Sequence, residues 1–202
     1  MKNKGCLSAG TIGIALLVIG AIVFFWGTKG YNDFVSKEQN VITKWSNVET
    51  VYQKRANLIP NLQNAVKSYS KFEQETLTKV VEARSKATGI NIDPSNMTEQ
   101  DMAKFQAAQG ELTGALSRLM VVVEKYPDLK ADQQYLNFQR EYTAIENSIR
   151  TETVYFNEAA QDYNTTIKQF PNNIIANFTN FKEKPQFKAD AGAQKAPDVF
   201  TE

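Results

Sequence analysis

The chain has 202 residues, with 23 basic and 22 acidic side chains, no histidine and one cysteine, Cys6. Without histidine there is no imidazole for a Ser-His triad, for general-base work near neutral pH or for ligation of zinc, which leaves carboxylates as the available general bases, and Cys6 alone forms no disulfide within the chain. Residues 1–28 hold two lysines and no acid, which leaves 21 basic against 22 acidic side chains beyond them and no net basic field to draw nucleic acid.

Leu7 to Trp26 carries no charge, and the uncharged window extends from Gly5 to Thr28, between Lys4 and Lys29. A helix needs about 20 mostly apolar residues to cross a bilayer core. Residues 7–28 are therefore predicted to be a transmembrane anchor behind a stub, 1–6, with Leu7, Ile12, Leu16, Ile19, Phe24, Phe25 and Trp26 as its apolar and interfacial residues. Two other readings compete. A cleaved signal peptide has a shorter apolar core and a small-x-small cleavage site, whereas this run ends in Phe24-Phe25-Trp26, which suit a membrane interface. A buried helix of a soluble protein would hold Gly5, Gly10, Gly13 and Gly20 at about 1 kcal/mol each against alanine. Cys6 has no apolar stretch before it, so it is not read as a lipoprotein lipidation site. Lys2, Lys4 and the terminal amine outweigh Lys29 and Lys37 by about one charge, which places the N-terminus inside and the bulk domain extracytoplasmic.

Past the anchor, stripe residues recur at steps of three and four, the spacing of one helix face. Phe34, Glu38, Val41, Trp45, Val48, Tyr52 and Arg55 mark a first helix over Tyr31 to Asn57, able to continue from the span because only Gly27 and Gly30 weaken the join. Pro60 disfavours helix at Ile59 and suits the first turn of a new one, which predicts a tight turn near 57–59. Leu62, Val66, Tyr69, Glu73, Leu77, Val80 and Arg84 mark a second helix to about Thr88, and Gly89 opens an 89–97 loop. Thr98 followed by Glu99 and Asp101 reads as a helix start. Met102, Phe105, Gln109, Leu112, Leu116, Leu119, Val123 and Tyr126 carry this third helix to Pro127. A fourth, from about Ala131 to Phe170, has Tyr135, Phe138, Tyr142, Ile145, Ile149, Phe156, Tyr163, Ile167 and Phe170 on one seam.

The expected fold is all-α: an N-terminal transmembrane helix, then an antiparallel four-helix bundle with long, coiled-coil-like helices over 31–171. A membrane-proximal extension, 172–187, and a tail, 188–202, of disorder-prone composition follow. In such a bundle Arg55, Asn57, Leu58, Ile59 and Pro60 meet Glu124, Tyr126, Pro127, Asp128 and Leu129 at the membrane-distal tip, a candidate surface for protein partners. Arg55 lies on a helix stripe, so a partly buried pair with the Glu124 carboxylate is expected, with Asp128 or solvent as the alternative partner. The 89–97 loop and Phe170-Pro171 are expected near the bilayer, where Ile174 to Phe181 either packs beneath the bundle or touches lipid.

Trp45, Arg55-Ala56-Asn57-Leu58-Ile59-Pro60-Asn61-Leu62, Ala83-Arg84, Glu124-Lys125-Tyr126-Pro127-Asp128-Leu129-Lys130, Glu146-Asn147, Tyr163-Asn164 and Phe170-Pro171, in this order, resemble the LemA family of bacterial membrane proteins. The resemblance covers about residues 24–187. It implies a single N-terminal span, a four-helix bundle and no established enzymatic activity. It also implies a short N-terminus outside and the bulk inside, opposite to the charge count.

The expected function is non-enzymatic: a scaffold or adaptor at the bacterial inner membrane, with the lipid bilayer and protein partners, a second copy included, as its contacts. The alternative is an envelope sensor binding a peptide or small ligand between the helices. No cofactor, metal or nucleic acid is expected. Gly110 and Gly114 fall inside a helix with Ala107 and Ala115, where they suit close helix approach and form no phosphate loop. Asp93-Pro94-Ser95-Asn96 has too few acids for a calcium loop of the EF-hand kind.

Overall fold

The computed structural model describes residues 9–67, 69 and 73–188, so the stub, Leu7 of the anchor and the tail beyond Lys188 lie outside the described residues. The described chain is all-helical, in the order α1 (Ala9–Lys67), α2 (Gln74–Thr88), α3 (Glu99–Val123), α4 (Pro127–Lys130), α5 (Gln133–Lys168) and α6 (Asn172–Thr179).

α1 joins the apolar N-terminal stretch to the domain without a break. Its 59 residues make a rod of about 90 Å. Ile12, Leu16, Ile19, Phe24 and Phe25 are exposed along its first half and Trp26 is half-buried. From Phe34 onward one face is buried, through Val41, Trp45, Val48 and Arg55.

The turn expected near 57–59 is absent, because α1 continues through Pro60 to Lys67. An interior proline costs about 3 kcal/mol through its missing N–H and a clash with the preceding turn. Here the buried face continues past it through Leu62, Ala65 and Val66, and that burial offsets the cost. Leu62 and Val66 therefore belong to α1, and the next helix starts at Gln74. Its buried face is Leu77, Val80, Ala83 and Ala87.

α3 starts at the expected place. The Thr98 hydroxyl accepts from the Asp101 N–H at 3.2 Å, and the Asp101 carboxylate accepts from the Thr98 N–H at 3.1 Å. Its buried residues are Met102, Phe105, Gln109, Leu112, Leu116, Leu119 and Val123. The one-turn α4 and the Asp132 N-cap then reverse the chain into α5. Phe170, expected on the α5 seam, lies beyond the helix end and is 81% exposed.

α5 is antiparallel to α1: Lys37, Asn47 and Arg55 pair with Asp162, Glu152 and Glu146 in turn. α2 and α3 pack together, with Lys86 reaching Glu111 at 2.7 Å. Two apolar clusters fill the interior. The distal one gathers Leu58, Ile59, Leu62 and Val66 with Leu77, Val80, Leu116, Leu119, Leu129 and Phe138. The proximal one gathers Phe34, Val41 and Trp45 with Ile92, Met97, Phe105, Phe156 and Tyr163.

The segment expected as a 172–187 extension divides into α6 and a strap that returns along α5. Asn180, at φ 61°, caps α6 in the left-handed conformation that asparagine tolerates. Residues 181–188 then turn back along α5 as an extended strap. Asn164 holds both the N–H and the carbonyl of Lys184, each at 2.8 Å. Asn157 does the same for Phe187, at 2.9 and 3.1 Å. Two asparagines seven residues apart on a helix are about 10.5 Å apart, and three extended residues cover about 10 Å, so the two ladders share one register. The strap carries Phe187 into ring contact with Trp45, Phe105 and Phe156. It also buries the Lys184 ammonium against Glu38, at 2.7 Å, and the Ser95 carbonyl.

Gly110 and Gly114 do not mediate close helix approach. A Cβ at either position would meet nothing within 4 Å, because both face a groove beside α2. Gly110→Ala and Gly114→Ala are accordingly expected to raise stability by about 0.5–1 kcal/mol each, read as a higher melting temperature.

Candidate functional site

The two apolar clusters are separated by a polar layer centred on Arg55, which is 2% exposed. Its guanidinium donates to Thr113 Oγ1 at 2.8 Å and to Glu146 Oε1 at 3.0 Å. It also donates to Gln109 Oε1 at 2.5 Å and to the Gln109 carbonyl at 3.3 Å. Gln109 in turn donates to the Ala87 carbonyl. One side chain thus ties α1 to α3 and α5 directly, and to α2 through Gln109. The plane of Tyr52 lies against the guanidinium, 5.0 Å from ring centre to Cζ. Tyr142 closes the layer on α5. Burial, and secondarily the Glu146 charge, push its hydroxyl up to about 12, so it stays protonated at neutral pH.

Pro60 belongs to the same layer. Lacking an N–H, it leaves the Ala56 carbonyl without its intrahelical donor. Arg84 Nε of α2 donates to that carbonyl at 2.9 Å. The two arginines therefore work in opposite directions across the α1 surface: Arg55 reaches out from α1, and Arg84 reaches in to repair it.

The structure divides the expected tip. Glu124, Tyr126, Pro127, Asp128 and Leu129 do lie at the turn between α3 and α5. There Tyr69 Oη donates to the Asp128 carbonyl, and Glu124 pairs with Lys130. Arg55, Asn57, Leu58, Ile59 and Pro60 lie well below the end of α1, with Arg55 about 18 Å short of it. The carboxylate beside Arg55 is Glu146, not Glu124 or Asp128. Leu58, Ile59 and Leu129 are core residues at 8%, 0% and 0% exposure, so they present nothing to a partner. Asn57 is exposed and accepts from Gln53, and Asp128 is exposed.

A cleft of about 320 Å³ opens beside the layer, lined by Glu49, Tyr52, Ala87, Ile90, Phe105 and Gln109 among others. Burial raises the Glu49 carboxyl above its usual 4.5, against the opposing pull of the nearby Trp45 indole. A carboxyl raised in the folded state penalises folding once it ionises. That penalty is absent below 4.5 and complete above the folded value, so this group's contribution falls as pH rises through that window. Glu49→Gln is expected to melt above the parent at pH 7, with the difference closing toward pH 4.

The fold defines a class: a helical domain carried on one long N-terminal helix which, among the described residues, is the only one long and apolar enough to cross a membrane. Residues 44–200 match the model of the LemA family, and the chain belongs to that family. It is 29% identical over 212 residues to magnetosome protein MamQ 2 of Paramagnetospirillum magneticum, covering 93% of this chain and 78% of that one. It is 28% identical over 162 residues to protein LemA of Metamycoplasma hominis, covering 80% and 69%. MamQ of Magnetospirillum gryphiswaldense is 26% identical, covering 85% and 71%. The chain is thus a membrane-associated protein of the LemA family.

Proposed function

We propose that this protein is a non-enzymatic scaffold or adaptor at the bacterial inner membrane, whose helices form an antiparallel four-helix bundle that presents its membrane-distal end to a protein partner. The observation that carries this reading is the unbroken α1. A helix that leaves the apolar stretch and runs to Lys67 holds the domain at a fixed height instead of on a flexible tether. The distal end offers Glu124, Lys125, Asp128 and Lys130 as exposed charges, with Val121 as an exposed apolar residue below them. A defined membrane protein should copurify with the full chain and be lost from Val121→Lys and Asp128→Lys variants that melt like the parent. Retention of that partner by both variants would overturn the distal-surface reading.

The charge count favours the bulk domain outside the cytoplasm, opposite to the orientation that the family resemblance implies. In a Cys6→Ser background, Asp128→Cys should react with a membrane-impermeant maleimide on intact cells. Reaction only after lysis would place the domain inside. The cleft beside Gln109 favours a second reading, a sensor of a peptide or small ligand. Its mark would be ligand-dependent stabilisation of the full chain, lost in Tyr52→Ala.

A further inference from the structure

α6 packs where α1 leaves its apolar half, and its two faces differ. Ala176 is buried, and Ile175 packs on the proximal cluster. A Cβ at Gly30 would come within 2.7 Å of Ile175 Cδ1, so the Ile175 side chain packs directly over the Gly30 backbone of α1. The opposite face carries Ile174 and Phe178, one helical turn apart and 56% and 92% exposed, with Phe170 at 81% just before the helix. From Gln169 to Phe181 the chain has no charged residue, and Lys168 and Lys182 flank it. Three large apolar groups exposed together on one uncharged segment mark a surface that meets more than water.

Height along α1 identifies what covers this face. Ile174, Ile175, Phe178 and Thr179 line one apolar groove of about 500 Å³ together with Val23, Trp26, Gly27 and Tyr31 of α1. Val23 belongs to the uncharged stretch, and Trp26 closes it. The exposed face of α6 is therefore level with the last turn of the apolar stretch and continuous with it.

We infer that α6 is a second membrane contact: its Ile174 and Phe178 face, with Phe170 just before the helix, enters the headgroup and upper acyl region of the bilayer that α1 crosses. Uncharged amphipathic helices with flanking lysines bind at that depth, the apolar side chains entering and the ammonium groups staying at the headgroups. Together with α1, α6 gives the domain two attachment points and so fixes its tilt. The inference rests on the reading of α1 as a membrane helix, and the test separates the two.

The full chain, with Cys6→Ser, is reconstituted into phosphatidylcholine–phosphatidylglycerol vesicles and spin-labelled at single cysteines: Ile174→Cys, Phe178→Cys, Ile19→Cys in the span and Val121→Cys near the distal end. Collision with oxygen is compared with collision with a water-soluble nickel chelate. The ratio of oxygen to nickel collision at positions 174 and 178 should exceed that at 121 by at least about threefold and approach that at 19. Ratios at 174 and 178 equal to that at 121, with 19 in lipid, would overturn the contact while leaving the anchor intact. Protection of 174 and 178 from both reagents would mean that protein covers the face, and would overturn it as well. An aqueous signal at 19 would overturn both the contact and the anchor.

Discussion

Arg55→Ala is expected to destabilise the domain by about 3–5 kcal/mol, the usual cost of removing one partner from a buried ion pair. Four acceptor contacts go with it. Glu146 is partly exposed and can rehydrate, but Gln109 Oε1 is buried and cannot. For a domain of this size the loss corresponds to a melting temperature lower by roughly 10 °C. Arg55→Leu should lose less, because it refills the volume between the two apolar clusters. Arg55→Lys should fall between the parent and alanine, since one ammonium cannot reach Thr113, Glu146 and Gln109 in the fork geometry that Arg55 uses. Circular dichroism melts in detergent would rank the three variants. A larger loss for leucine than for alanine would contradict the pairing described here.

Truncation after Asn180 is expected to cost as much or more, while truncation after Lys188 should cost little by comparison. The difference between the two isolates residues 181–188. They hold the backbone pairs with Asn157 and Asn164, the buried Lys184–Glu38 ion pair and the ring contacts of Phe187 with Trp45. Phe187→Ala alone should cost about 3 kcal/mol, the low end for deleting a packed aromatic ring. Hydrogen exchange should rise first around Trp45 and Phe156, whose cluster the strap covers, and later at Leu116 and Leu119 in the distal cluster. Equal melting of the two truncations would mean that the strap lies on a surface complete without it.

Periodicity located the helices well, because burial of one face governs both the spacing of apolar residues and the packing that results. The α3 stripe from Met102 to Val123 is buried at each of the seven positions from Met102 to Val123 that the spacing picked out. Pro60 misled for a definite reason. A local rule about proline sees the lost N–H but not Arg84, which lies 28 residues beyond Ala56 and satisfies its carbonyl. Once the helix is carried through Pro60, the supposed tip drops to mid-height and Arg55 faces Glu146 instead of Glu124. Two polar residues on buried stripes, Arg55 and Gln109, were a sequence signal for the layer. Glu146 stood one residue off the α5 seam and gave a weaker one. The strap was illegible because an extended segment held by Asn157 and Asn164 has no period of its own. Its register comes from α5.

The apolar N-terminal stretch and the domain share one unbroken helix. This continuity is tested most directly by a distance across the join at Gly27 and Gly30. Ile22→Cys and Asn40→Cys, in the Cys6→Ser background, lie 18 residues apart, five whole turns, and so on the same face of α1. Pulsed electron resonance on the spin-labelled chain in lipid vesicles should give a single narrow distribution centred near about 27 Å. A broad distribution, or one with most of its weight well below that distance, would mean that the helix breaks at the membrane and that the domain hangs from a flexible joint.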